Sequence, residues 1–427
     1  MVDIQPFKGL RYDPKFAGDN SLNICPPFDA ITPDLQKSLH ERSDFNIVRL
    51  ELARRNQDIN HYKNAANTLS DWINNGILKY DDKPAIYVTK EEFDYRGVKQ
   101  VRRGFITNVK IEEYGKKIIL PHEKTRLEWV EDRAQLMSES KSNFSPLLVI
   151  YKDDKFLSIG KLIRTISGGN PTSIFSPPDM PKLSIWKITD PGTISIIQKK
   201  MSKSQVFIAD GHHRYEASLI YRNKNNSINK KSNKSFDYRM MMLVSYDEPG
   251  LITRGYHRVL SNLTKKEYND IHTRIKKHFT VTNYEMPNKI DKIFVDNFIK
   301  TLDVRKNKEI VFGLYNSKTR SLCIAKDKQI TLDGNILENS EYYKLHELIF
   351  SKSFNADREL KVVLPVSDSK MISDYIEKDS IDMVFFMRPL PLSEFSEIVS
   401  NGWRLPAKAT NFFPKPPAGS VLQNLEI

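Results

Sequence analysis

The densest run of chemically capable side chains is Asp210-Gly211-His212-His213-Arg214. It follows the apolar stretch Val206-Phe207-Ile208-Ala209 and leads into a helical pattern that reaches about Tyr221. The pattern predicts a buried strand, a sharp turn and a helix. Gly211 permits a conformation or a close backbone approach that a Cβ would block. The helix start leaves N–H groups without intrahelical carbonyls and presents the positive end of its dipole, which suits an anion. Arg214 brings a permanently charged fork matched to phosphate oxygens. His212 and His213 bring proton transfer or hydrogen bonding near neutral pH. Asp210, at the strand end, suits a helix cap, a Mg²⁺ ligand or a base.

Smaller constellations surround this motif. Pro121-His122-Glu123-Lys124-Thr125 follows a short apolar stretch, and Asp132-Arg133 lies on the next helix. His122 or Glu123 suits a base or a ligand at a site, with Arg133 close by; a salt-bridged loop is the other reading. No second histidine follows at the spacing of a zinc protease. Arg49 and Glu51 alternate with Val48 and Leu50, so a strand over 46–52 would project both from one face. Glu51 there is either a base or half of a cross-strand ion pair. His257-Arg258 suits a phosphoryl group or a structural hydrogen bond. Lys408 and Lys415 sit on a Pro-restrained tail beside Phe412 and Phe413. They suit a substrate phosphate or a solvated surface. Cys25 reads as a structural residue and Asp29 as a cap or ligand.

The elements that must position these groups alternate between strand and helix patterns. Ala85–Phe93 and Gln100–Val109 read as strands around an Arg96-Gly97 turn, and Asn60–Gly76 as a helix ending on glycine. Ser145–Tyr151 reads as a buried strand and Asp132–Ser142 as a helix. Residues 222–235, rich in Lys and Asn, read as a mobile surface loop. Helices are expected over 264–278, 290–300, 339–351 and 368–378, and strands over 309–315, 321–326 and 383–387. This predicts a mixed α/β (α+β) chain of two domains. Residues 1–262 would carry the His-Glu and DGHHR motifs, and 263–427 would form an α+β domain with a Pro/Lys-rich tail.

Lys and Arg number 66 against 53 Asp and Glu among 427 residues, a net charge of +13. That excess suits nucleic acid, a membrane surface or a phosphorylated small molecule. No apolar run approaches a membrane span of roughly 18 residues. No helix-turn-helix, zinc-finger or RNP pattern is present, so nucleic acid is disfavoured as a partner. No Gly-x-x-x-x-Gly-Lys-Ser/Thr occurs, nor a Gly-x-Gly-x-x-Gly after a strand, which disfavours P-loop and dinucleotide readings. Two cysteines and the lack of an apolar N-terminal stretch predict a reduced, cytoplasmic setting. The charge points to a basic cleft built from Arg214, Arg258, Lys408 and Lys415. The oligomeric state is not legible.

These motifs together resemble DUF1015, a bacterial and archaeal family named for its unknown function. The resemblance rests on Cys25-Pro26-Pro27-Phe28-Asp29-Ala30-Ile31, Asn46 to Leu50, Arg102-Arg103-Gly104-Phe105, Pro121 to Thr125 with Asp132-Arg133, Ala209 to Tyr215, Pro406 to Thr410 and Phe413-Pro414-Lys415. The chain departs from it by carrying Arg126-Leu127-Glu128-Trp129 where relatives have a Gly-Pro-Lys-type turn, and Gly255-Tyr256 where they have Pro-Thr. The DGHHR segment is also similar, more distantly, to the Gly-x-x-Arg phosphate turn of the ParB/sulfiredoxin-like fold, nearest the free serine kinases. His212 stands where sulfiredoxins have their reactive cysteine, which excludes sulfiredoxin chemistry.

That resemblance implies a nucleotide-binding core with an N-terminal elaboration. It implies a phosphotransferase using ATP or ADP, with Mg²⁺ at Asp210, on a small hydroxyl substrate such as free serine. Gly211 and Arg214 would hold phosphate; His122, Arg133, His257, Arg258, Lys408 and Lys415 would assist. Glu51, Glu123, His212 or His213 would take the proton. A phosphoserine phosphatase and a nucleotide-gated, ParB-like DNA-binding protein are the alternatives.

Overall fold

A computed structural model describes residues 1–54, 60–153, 159–228, 234–303, 309–327 and 335–427. The fold is mixed α/β, as the sequence predicts. It divides into two compact units. The first comprises Met1–Pro121, Thr125–Ile252 and Pro414–Ile427; the second comprises His122–Lys124 and Thr253–Phe413. Residues 414–427 thus belong to the first unit.

The first unit is built on a nine-stranded sheet. Its path runs Ile119–Leu120, Val206–Asp210, Leu147–Tyr151, Tyr238–Ser245, Val98–Lys110, Ile86–Tyr95, Lys182–Ile188 and Ser173–Phe175, with Ile4–Gln5 added against Val98–Lys110. Val206–Asp210 runs parallel to Ile119–Leu120 and antiparallel to Leu147–Tyr151. Leu147–Tyr151 and Tyr238–Ser245 are buried at every position, as central strands covered on both faces must be. Ile159, Ile163, Ile194, Ile197 and Met201, from helices Ile159–Ile166 and Pro191–Met201, pack with Val206, Ile208 and Leu243. Elsewhere in the unit, helices Leu127–Ser140 and His212–Ile228 join through Val130, Ala134, Met137, Ala217 and Tyr221. The expected hairpin forms, with Arg96 and Gly97 at φ +53° and +79°, the twist that two-residue hairpin loops need.

The second unit has a six-stranded antiparallel sheet in the order Phe279–Tyr284, Ser321–Asp327, Val311–Asn316, Met383–Phe386, His257–Leu260, Val363–Val366. Adjacent Phe385 and Phe386 point to opposite faces. Phe386 meets Phe298 of helix Lys292–Asp303, and Phe385 meets Phe350. Helix Lys265–His278 opens on a reciprocal Thr264–Glu267 cap. The helix expected over 339–351 forms as an α-helical start, Glu341–Leu345, followed by a π-helical turn, His346–Phe350.

Two sequence expectations are corrected. Residues 46–52 do not form a strand: Val48–Glu51 is a short helix. The β-branched run suggests a strand, but the Asn46 side chain accepts from the Val48 N–H at 3.0 Å and donates to the Leu22 carbonyl at 2.6 Å. The Asn46 side-chain turn overrides propensity there. The stretch 222–235 is not a loop throughout, because helix His212–Ile228 continues through its first part; residues 229–233 lie outside the described residues. Among the described residues no helix is long and apolar enough to cross a membrane.

Candidate functional site

The strand Val206–Asp210 carries a register shift between Ile208 and Asp210 against Leu147–Tyr151. Such a bulge re-aims the side chain at a strand end. The chain then turns at Gly211, φ +98°, and enters helix His212–Ile228. A Cβ at 211 would stand 2.6 Å from Leu147 Cδ2 and 2.9 Å from Arg214 Nη2. Glycine is required there twice, by dihedral and by space.

The arginine that crowds Gly211 does not point outward. Arg214 is 3% exposed. Its Nη1 donates to Ser145 Oγ at 2.8 Å and to the Pro146 carbonyl at 3.1 Å, and its Nη2 donates to Asp210 Oδ2 at 2.6 Å. Asp210 Oδ1 meets Lys415 Nζ at 2.8 Å, and the same ammonium reaches Asp29 Oδ2 at 2.6 Å. Lys415 is therefore an ordered cation on the turn, whereas Arg214 braces the turn from beneath.

Behind Arg214 the network continues inward. The Ser145 hydroxyl donates to Glu51 Oε1 at 3.0 Å. Glu51 is buried, and Arg133 Nη1 donates to its backbone carbonyl at 2.9 Å. Arg133 also pairs with Asp132 at 2.5 Å and lies over the Phe28 ring, 4.3 Å from the centroid. Arg49 turns away from Glu51, toward the His40 carbonyl and Asp44, as a helix rather than a strand dictates. Arg239 Nη2 donates to the Ser145 carbonyl at 3.0 Å. Burial, and after it the nearby Arg214, push the Arg239 guanidinium down to about 9, against an opposing pull from Glu51.

The two histidines differ. His212 is buried. His213 is half-buried, and its Nε2 accepts the Arg126 N–H at 3.0 Å, so that nitrogen carries no proton. The Trp129 ring lies 5.1 Å from the His213 ring. The distinctive Arg126–Trp129 stretch thus forms the start of a helix, next to the turn. Glu216 accepts from the Thr125 hydroxyl.

The second unit holds the remaining candidates. His122 is wholly buried, with Nε2 2.6 Å from Thr410 Oγ1 and 3.8 Å from Glu123 Oε1, and its ring meets Phe395 and Phe412. Arg404 holds the Glu123 carbonyl at 3.0 Å. His257 Nδ1 accepts from the Met387 N–H at 2.9 Å. Arg258 directs its fork to backbone carbonyls, those of Lys408 at 3.1 Å, Ala407 at 3.2 Å and Tyr256 at 3.3 Å. Burial holds its guanidinium below the usual range. Lys408, at φ +56°, carries its ammonium 5.7 Å from the centre of the Tyr256 ring. Arg258 here shapes the tail's backbone.

The structure thus gathers Glu51, Arg133, Asp210, Gly211, Arg214 and Lys415 in one network of the first unit. Ser145 and Arg239, absent from the sequence candidates, complete it. The magnesium expectation fits poorly. Among the described residues no three His, Cys, Asp or Glu side chains gather to hold a metal ion. Both Asp210 oxygens meet cations, Arg214 at Oδ2 and Lys415 at Oδ1, which disfavours a second role as metal ligand.

A family model described as "Protein of unknown function (DUF1015)" matches residues 4–347. The chain belongs to this family. No curated protein matches this DUF1015 chain. Among solved structures, the chain is similar to a free serine kinase in complex with AMP, at 15% identity and a TM-score of 0.34, over 69% of this chain and 83% of that one. It is similar to a conserved hypothetical protein from Pyrococcus furiosus, at 15% identity and a TM-score of 0.36, over 70% and 90%. It is also similar to SbnI with a C-terminal truncation from Staphylococcus aureus, at 11% identity and a TM-score of 0.38, over 75% and 86%.

Proposed function

We propose that this protein is a phosphotransferase that moves a phosphoryl group between a nucleotide, ATP or ADP, and a small hydroxyl substrate, free serine being the first to test. The observation that carries the reading is the joint between Val206–Asp210 and His212–Ile228. There a glycine at φ +98° opens a helix, and an ordered ammonium, Lys415, stands on the turn. Backbone N–H groups at a helix start and one fixed cation suit phosphate oxygens. In this reading Arg214 positions the turn through Asp210 and Ser145. Phosphoryl transfer asks the protein chiefly for positioning and charge stabilisation. The proton of the acceptor hydroxyl passes to His213, whose Nε2 exchanges the Arg126 N–H for it; Glu51 is too deeply buried and already holds Ser145.

The test is incubation with ATP or ADP and serine, with phosphoserine followed by mass spectrometry. The reading expects phosphoserine to form, and expects Lys415→Met and His213→Ala each to lower its rate at least tenfold. Hydrolysis of phosphoserine without synthesis would replace the kinase by a phosphatase. Salt-sensitive DNA binding with no small-molecule turnover would overturn both.

A further inference from the structure

Beneath the turn lies a cavity of about 20 Å³, walled by Glu51, Ser142, Asn143, Ser145 and the three arginines Arg133, Arg214 and Arg239, together with Leu136, Met137 and Phe144. One water-sized guest needs roughly 10–15 Å³ measured in this way, so the space suits a single small particle and no organic group. Arg214 and Arg239 are each 3% exposed. Among the described residues neither Nε–H has a hydrogen-bond partner, and on the same wall Ser142 Oγ and Asn143 Oδ1 have none either. A buried guanidinium donor left unmatched is costly.

The charges on the wall are unequal. Arg133 and Arg214 have carboxylate partners in Asp132 and Asp210, but neither aspartate lines the cavity. Among the described residues Arg239 forms no ion pair with a carboxylate: it donates to the Ser145 carbonyl and, at 3.9 Å, to Met137 Sδ. Glu51, the one acid on the wall, faces the Ser145 hydroxyl. Three guanidiniums and one carboxylate thus surround a space for one acceptor, in surroundings where charge is weakly screened. We infer that this cavity is a binding site for a small monatomic anion of the halide class, received by the Nε–H groups of Arg214 and Arg239. The inference does not depend on phosphoryl transfer. The anion would share Arg214 with the turn above, so occupancy would stiffen the turn whatever ligand the turn receives.

The test uses the full chain at constant ionic strength, with sodium chloride or bromide exchanged for sodium gluconate. The expected result is a thermal midpoint that climbs with the logarithm of halide concentration, as ligand linkage requires, and a slope lost in Arg239→Gln. Bromide-grown crystals of the unaltered protein should show an anomalous peak beside the Arg214 and Arg239 Nε atoms, a readout that stands even if the variant folds poorly. Equal midpoints in chloride and gluconate, or a water without anomalous signal at that position, would overturn the assignment.

Discussion

The Lys415 ammonium lies 2.8 Å from Asp210 Oδ1, while Arg214 Nη2 holds Oδ2 of the same carboxylate at 2.6 Å. One strand-end acid therefore ties a tail residue to a helix residue. The turn between them is fixed from both sides, which pre-organisation of an anion cradle demands.

Replacing Lys415 by methionine would leave Asp29 and Asp210 side by side without their shared cation. Removing one partner from a largely buried charged hydrogen bond costs about 2 kcal/mol or more. Urea unfolding should show that loss, and Lys415→Arg should recover most of it.

Gly211→Ala should be more severe than an ordinary turn substitution. The positive φ costs an L-residue about 1 kcal/mol, and overpacking against Leu147 adds about 1–3 kcal/mol. A drop of about 2–4 kcal/mol in denaturant unfolding is expected, with a weakened response to added nucleotide in the same assay.

Ser145→Ala removes the hydroxyl that accepts from Arg214 and donates to Glu51. The expected loss is about 1–3 kcal/mol, because both former partners remain buried. A double-mutant cycle with Arg214→Gln should be clearly non-additive, since the two share one hydrogen bond. Additive effects would mean that the link contributes nothing to stability.

Glu394 in the second unit is raised to about 7, chiefly by burial and next by Glu341, against the pull of Arg388. An ordinary glutamate titrates near 4.5. Below that value both folded and unfolded chains hold the proton, and this group contributes no pH dependence. Between 4.5 and about 7 unfolding releases it, so stability falls as pH rises, and above 7 the full penalty applies. Glu394→Gln should flatten this part of the stability–pH curve; an unchanged slope in that window would refute the assignment.

The local parts of this architecture were legible in the sequence. The Arg96-Gly97 hairpin and the strand–Gly211–helix joint each depend on neighbours within a few positions, where turn chemistry and periodicity act. Val48–Glu51 was not legible, because the Asn46 side chain that opens it is anchored on a distant carbonyl, that of Leu22, and its residue types favour strand. Ser145 and Arg239 were invisible for another reason. Serine opening an apolar run and arginine within a methionine-rich strand carry no motif, and their roles arise only when strands Leu147–Tyr151 and Tyr238–Ser245 pair side by side. Arg214 was legible as a charge at the right place, but its inward direction is set by Ser145 and Asp210. The four basic residues picked out from the net charge behave differently for the same reason: two serve carboxylates, one serves carbonyls and one lies over a ring.

The segment 414–427 is woven through the first unit. It bridges Cys25 through Ala418 and Leu10 through Leu422, pairs Gln423–Asn424 with Ser142–Asn143, and carries Lys415 to the turn. During synthesis, domains generally fold from the N-terminus as they emerge. This unit has to wait. Its sheet can assemble early, but the cation on its turn arrives only after the whole second unit has been made. A nascent or C-terminally clipped chain would hold the glycine turn, both histidines and the buried arginines, and still lack the residue that completes them. The order of translation thereby delays assembly of the candidate site until residues 414–427 have left the ribosome.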